Sequence, residues 1–392
     1  MPIFLTNHKH RLYLGIAVMA FLIRMLVHAF IAVPEFSDAA DYLKAGKVFW
    51  ERGYIHNYKV MPLYPAWRYV SELLFGGPIL DMVADALTCY VLAIFTEKHF
   101  TSRWAWISGL CWAFYPFAVF YANTGMSESL FVLLMVSAVY FLYEEKIFNG
   151  LALLVLAVLT RPVFDLLNPI LVFVFSFWVW KKSLKISLLH VGKYFLVYVL
   201  FMTPWWMHNV QRYGTFVRTG LGDGQVLMEG SHPGNIDGGP IAMELYVKDY
   251  EDISDPILLN EAKKDDAIKY ISQDPVRFGI LGVKKFFRFW NLVPNSREFT
   301  APIYRILAIL SFGPVFLLSI MFVISNKITL RKTLPILLMV FYLTGIHMVT
   351  VASIRYRFPM EPFLLVLAVA FLGQLLDKPA NKLTYRKMDC TF

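Results

Sequence analysis

The chain has 392 residues, 58% of them hydrophobic and 17% charged, with 34 Phe, 21 Tyr and 10 Trp. A soluble domain carries about 25% charged residues. Here the apolar residues come in blocks of about 17–25, the length that crosses a ~30 Å hydrocarbon core as helix, so a soluble globular enzyme is excluded. The net charge of +9 lies largely in short Lys/Arg loops between those blocks, where it sets orientation and gives no reason to invoke nucleic acid.

In chain order, His8-Lys9-His10-Arg11 precede an apolar run reaching about Val33. The run is longer than a secretory leader's and is interrupted by Arg24, so it reads as a retained span. With it, about ten spans are expected. They fall near 12–33, 78–95, 104–121, 128–143, 150–160, 167–180, 189–206, 302–325, 333–353 and 360–376. The loops Thr96–Arg103, Tyr143–Gly150, Trp180–Lys185 and Asn326–Lys332, and the tail after Asp377, are short and mostly basic. That side is expected to be cytoplasmic, with both termini inside.

The outer side then carries Pro34–Tyr64, short loops around Glu128 and Arg161, a long segment from Met207 to Thr300, and Arg355–Pro362. Residues 65–77 read as a surface helix. Leu258–Gln273 has helical periodicity, and Val276–Leu292 mixes Phe, Leu and Trp with Lys284, Lys285 and Arg288, as an interfacial amphipathic helix does. Gly220–Gly239 has too many glycines for a helix and is expected to be an ordered loop. No internal repeat is visible. The reading is one all-α, multi-pass domain over 1–392, with residues 34–77 as a first outer loop and 207–300 as a long outer segment. Cys89 and Cys111 fall in apolar blocks and Cys390 at the end, with neither disulfide nor metal spacing. The lack of any Asn-x-Ser/Thr sequon agrees with a bacterial inner membrane.

The inner loops are too short to hold a nucleotide, and there is no P-loop or GxGxxG after a strand. Chemistry is therefore expected on the outer face, with a substrate that arrives already activated, such as a group carried on a lipid phosphate. Asp38 and Asp41, three apart, share a face if helical. They suit a general base, or oxygen ligands for a divalent cation such as Mg or Mn, or simply the cap and first turn of a short surface helix with Ser37. Arg355 and Arg357 suit a phosphate through fork geometry, or snorkel to lipid headgroups. Arg161, His208, Arg212, Lys284, Lys285 and Arg288 are open to the same two readings. Glu128 reads as a first-turn carboxylate or a catalytic one. Asp81 and Asp85, one turn apart near the start of the second span, are functional candidates if buried and ordinary if solvated.

The ordered set of motifs resembles the membrane glycosyltransferases of the GT-C fold, the group of the bacterial protein mannosyltransferases and the lipid A aminoarabinose transferase. The pieces are Asp38-Ala-Ala-Asp-Tyr42-Leu, Pro62-Leu-Tyr-Pro65, Ser127-Glu128, Leu159-Thr-Arg161-Pro162, Thr203-Pro-Trp205 through His208-Asn209 to Tyr213-Gly214, Gly230-Ser-His-Pro-Gly-Asn235, Lys285-Phe-Phe-Arg-Phe-Trp290 and Arg355-Tyr-Arg-Phe-Pro359. Many relatives have Asp-Glu where Asp38-Ala39 stands, and Lys-Pro-Pro where Lys59-Val-Met-Pro62 stands.

The resemblance implies a GT-C bundle with outer interfacial helices and an inverting transfer of sugar from a polyprenyl-phosphate donor to a glycan, lipid or protein acceptor at the periplasmic or outer face. It implies Asp38 or Asp41 as base or metal-associated carboxylate, and Arg355 facing the donor phosphate. Arg357, Tyr42, Lys59, Tyr64, Glu128, Arg161, His208, Lys285 and Arg288 are the accompanying substrate-side candidates. A transporter or flippase of a lipid-linked saccharide is the rival reading; it calls for repeats and a charged midplane cavity.

Overall fold

A computed structural model describes residues 8–32, 36–295, 299, 301–325 and 330–377. Pro34, most of the basic loop expected at 326–332 and the tail with Cys390 lie outside them. The helices are α1 His8–Phe30, α2 Ser37–Arg52, α3 Leu63–Phe75, α4 Ile79–His99, α5 Trp106–Ala113, α6 Pro116–Asn123, α7 Glu128–Tyr143, α8 Ile147–Thr160 and α9 Asn168–Val174. They continue as α10 Leu184–Tyr213, α11 Asp223–Ser231, α12 Pro256–Gln273, α13 Pro275–Phe289, α14 Pro302–Ser325, α15 Leu330–Val349, α16 Ile354–Arg357 and α17 Glu361–Leu376.

Among the described residues six helical stretches are long and apolar enough to cross a membrane: His8–Phe30, Ile79–His99, Leu184–Tyr213, Pro302–Ser325, Arg331–Val349 and Ile354–Leu376. Glu128–Tyr143, Ile147–Thr160 and Asn168–Val179 are shorter apolar helices. The remaining span, expected over 104–121, is two short helices. Pro116 has no N–H to give to the preceding turn and sets Tyr115 in extended backbone (φ −69°, ψ 115°), which ends α5 and restarts the chain as α6. The chain is thus a polytopic helical membrane protein, as its hydropathy predicts.

The centre of the bundle is α17, whose spanning stretch is 78% buried, against 28% for α1 and 22% for α10. It packs on α14 and touches α4 and α7, while α7 packs on α8 and α4 on α1. Apolar residues all round α17 match this enclosure, and the bare faces of α1 and α10 (Leu22, Leu26, Leu196, Leu200) suit lipid. Two charges inside the bundle are paired. Arg24 of α1 donates from Nε to Asp85 Oδ2 of α4 at 2.7 Å, and Trp112 Nε1 donates to Asp85 Oδ1 at 3.0 Å. Both members of the pair are fully buried, so Asp85 is not solvated. Asp81 is buried too, accepting from Tyr64 Oη at 2.8 Å and Trp67 Nε1 at 3.0 Å.

At one end lie the amphipathic helices. α2 packs on α3, α11 on α12, and α13 on α15. α13 exposes Val276, Ile280, Val283 and Phe287 along one stripe and buries Leu281, Lys285 and Phe289 on the other side. The glycine-rich stretch is not all loop: Asp223–Ser231 is helical. Its glycines serve close approach. A Cβ on Gly224 would stand 2.3 Å from Asn260 O and one on Gly230 2.5 Å from Thr350 O, so helical propensity yields to packing.

Candidate active site

Three chain reversals bring four charges together. α2 begins after Phe36, which sits in extended backbone, and Asp38 falls in its first turn without making a capping bond. Arg161 ends α8 in extended backbone (φ −148°, ψ 122°), as the residue before Pro162 must, and this turns its side chain off the helix. Arg355 opens a single helical turn in which Ser353 Oγ accepts from the Arg355 amide at 3.3 Å. Glu128 starts α7 and is completely buried.

Their side chains meet. Arg355 donates from Nη1 to Asp38 Oδ2 at 2.6 Å and from Nε to Glu128 Oε1 at 2.6 Å. Arg161 Nη1 donates to the same Oε1 at 2.5 Å. Two carboxylates and two guanidinium groups thus form a chain in the order Asp38, Arg355, Glu128, Arg161. The Asp38 side chain is 49% exposed and that of Glu128 0%. Glu128 Oε2 is buried with no hydrogen-bond partner among the described residues. Ser127 lies alongside, its Oγ 3.4 Å from both Arg161 Nη1 and Tyr42 Oη. Burial pushes the Tyr42 phenol up, against the pull of Arg161 and Arg355, so it stays protonated. Its ring meets Tyr64 edge-on at 4.8 Å, and Tyr64 is held in turn by Asp81.

Arg355 also lines an apolar cavity of about 500 Å³. Val27 of α1 and Ile31 just after it, Phe117 and Phe120 of α6, and Tyr304 and Leu307 of α14 line it, with Phe36, Asn295 and Phe299. This space was not named from the sequence. The signal for it is the Phe114, Phe117, Phe120 spacing beside Pro116: a kinked, aromatic, half-buried helix where a plain span would be expected.

The other candidates stand elsewhere. Asp41, one turn on from Asp38, is exposed, and its charge acts on His56. Lys59 is exposed; its backbone packs on Gly220, and Tyr58 O accepts from the Leu221 amide at 2.7 Å, joining the first loop to the long segment 207–300. His208 stacks on Trp205 and accepts from the Ile55 amide at 3.0 Å, a second tie to that loop. Arg357 is buried, donating to Glu361 at 2.8 Å and to Asn291 O at 2.6 Å, with its guanidinium over the Phe312 ring. Lys285 is buried and donates to Gly230 O at 2.6 Å and Val349 O at 2.9 Å; burial, with Arg277 nearby, pushes its ammonium down to about 8. Arg288 bonds Ala352 O at 2.9 Å and Asp237 at 2.8 Å. Through Val349 and Ala352, these last two residues fix the non-helical segment that delivers Arg355.

Among the described residues no three His, Cys, Asp or Glu side chains gather as a metal site. The two carboxylates that do converge are each bonded to a guanidinium. That donor set does not suit a divalent cation, which takes 6–8 oxygen ligands if it is calcium or near-octahedral oxygen if magnesium (both approximate).

No protein-family model matches the chain, and no curated protein sequence does. Solved structures do. The oligosaccharyltransferase of Archaeoglobus fulgidus in its apo form superposes with a TM-score of 0.59 at 15% identity, over 99% of this chain and 52% of that one. The same organism's oligosaccharyltransferase AglB, in complex with an inhibitory peptide and a dolichol-phosphate, gives 0.57 at 15% identity over 93% and 50%. ArnT from Cupriavidus metallidurans bound to undecaprenyl phosphate gives 0.44 at 14% identity over 93% and 77%. The chain therefore has the GT-C membrane fold of the archaeal oligosaccharyltransferase, at about half that protein's length.

Proposed function

We propose that this protein is a glycosyltransferase that moves a sugar from a polyprenyl-phosphate donor to a hydroxyl or amine of a glycan, lipid or protein, at the outer face of a bacterial inner membrane. The observation that carries this reading is Arg355, which joins the apolar cavity to Asp38. A prenyl chain needs an apolar cavity open to lipid, its phosphate needs a cation at the end, and the acceptor needs a carboxylate beside the departing phosphate.

The step follows from that layout. Asp38 takes the proton from the acceptor O–H or N–H as the acceptor atom bonds to the anomeric carbon. The carbon–oxygen bond to phosphate breaks on the opposite side, which inverts the centre, and the lipid phosphate leaves with the electron pair. Arg355 stabilises the growing negative charge from a site partly shielded from water, where a fixed cation acts more strongly than in bulk. Glu128 and Arg161 hold that guanidinium in place. Asp38 fits the carboxylate role better than Asp41, because Asp38 alone of the two bonds Arg355.

The test is release of polyprenyl phosphate by purified protein offered a panel of short polyprenyl-phosphate sugars and candidate acceptors, with Asp38→Asn as control. Aspartate-dependent release from one donor supports the reading. A protein that neither binds nor cleaves any member of the panel would sink it.

A further inference from the structure

The guanidinium of Arg355 has one fixed end and one exchangeable end. Its Nε bonds Glu128, which is wholly buried, whereas its Nη1 bonds Asp38, whose side chain is half exposed. Breaking the first contact strands a charge inside the protein; breaking the second returns a carboxylate to water at little cost. The cavity reaches the same arginine. A lipid phosphate lodged there would meet a guanidinium already held by a carboxylate with a weaker claim on it, since a phosphate offers more charge and more acceptor oxygens to the same donors.

Resting on the transferase reading above, we infer that donor phosphate and Asp38 compete for Arg355. The ion pair masks the Asp38 carboxylate in the ligand-free protein, and the arriving phosphate releases it to accept a proton. Glu128 is then a positioning residue, keeping the guanidinium in place while its outer partner changes. The device imposes an order, with donor binding before acceptor activation. No bond to carbon changes in this step; a lipid phosphate replaces a carboxylate at Nη1, and the freed Asp38 is solvated. It also gives the half-exposed position of Asp38 a purpose, since a fully buried carboxylate could not be released in this way.

The test is the affinity of the full chain in nanodiscs for a polyprenyl monophosphate lacking a sugar, measured by competition with a fluorescent analogue. Asp38→Asn binds the lipid phosphate roughly twofold to fivefold more tightly than wild type, the size of a half-exposed ion pair that no longer has to be broken. Asp41→Asn removes an equal charge one turn along α2 and leaves the affinity unchanged. Asp38→Glu keeps the competitor and stays at the wild-type value. In an Arg355→Gln background binding is weak, and adding Asp38→Asn gives no gain. Asp38→Asn binding no better than wild type, or Asp41→Asn showing the same gain, overturns the exchange; if binding still depends on Arg355, the transferase reading survives. Absence of saturable binding by wild type and Asp38→Asn alike overturns both.

Discussion

Arg355 Nη1 stands 2.6 Å from Asp38 Oδ2, an ion pair between residues 317 positions apart. It ties the first turn of α2 to α16, the turn before the central helix α17, and its arginine also lines the cavity. The aspartate side of this contact is half exposed, so its chemical role outweighs its structural one.

Asp38→Asn lowers turnover by about 10² or more, the usual scale for loss of a general base. Asp41→Asn stays within a few-fold of wild type, because Asp41 is exposed and touches none of the four charges. Initial rates of polyprenyl-phosphate release distinguish the two. An Asp41→Asn enzyme as crippled as Asp38→Asn would move the catalytic carboxylate along the helix. Because the Asp38 side chain is half exposed, both variants keep the wild-type melting temperature.

Glu128→Gln leaves two guanidinium groups facing each other without their shared carboxylate. Removing one partner of a buried ion pair costs about 3–5 kcal/mol. The melting temperature in detergent should fall by several degrees, and the KM for donor should rise more than kcat falls, since the arginine loses its position before Asp38 loses its chemistry. A kcat loss at unchanged KM would point instead to Glu128 as a proton-transfer group.

Arg24 and Asp85 predict a contrasting pattern. Their pair is enclosed between α1, α4 and α5, with Arg24 also donating to Ala113 O at 2.7 Å. Arg24→Ala or Asp85→Ala alone destabilises by about 3–5 kcal/mol, whereas replacing both by leucine costs much less, because no charge is left unmatched. Thermal unfolding of the two singles and the double tests this. Specific activity per folded molecule should stay near wild type throughout.

What could be read from the sequence follows the range of the interactions. Hydropathy over one helix is local, so most of the spans, a helix at Leu63–Phe75 and the amphipathic α13 were legible, while the span expected over 104–121 breaks before Pro116 by a rule about one residue and its neighbour. The pairing of Asp38 with Arg355 depends on how the whole bundle closes, and spacing in the sequence gives no hint of it. Glu128 looks like an ordinary first-turn carboxylate until α8 and the turn before α17 bring two arginines to it. The helix Asp223–Ser231 was read as loop because its glycines oppose helix formation locally; the carbonyls of Asn260 and Thr350 that require them lie on other elements.

Those glycines give a prediction that starts from packing alone. Gly230→Ala would set a Cβ 2.5 Å from Thr350 O, in the non-helical segment that leads to Arg355, and a backbone carbonyl cannot rotate away as a side chain would. We expect a loss of about 1–3 kcal/mol from overpacking, together with reduced donor affinity. Gly279→Ala on α13 meets nothing within 4 Å and should be neutral or slightly stabilising. Melting temperatures of the two variants, read side by side, check the packing.

Lys285 supplies the pH dependence. Its ammonium is buried and pushed down to about 8 from 10.5, so between those values the folded protein has lost a proton that the unfolded chain retains. Stability contributed by this group therefore rises with pH through that window, and the penalty is fully present below about pH 8. A shift of this size corresponds to about 3 kcal/mol at most. Lys285→Met fills similar volume without a charge, but it gives up the bonds to Gly230 O and Val349 O. The absolute stability of the variant is then a balance of two opposed effects, while its pH slope is not. Denaturant unfolding at intervals from pH 7 to about pH 10.5 should show wild type gaining stability relative to Lys285→Met as pH rises. Parallel curves would mean that the lysine keeps its proton in the fold, its two carbonyl partners outweighing the cost of burial.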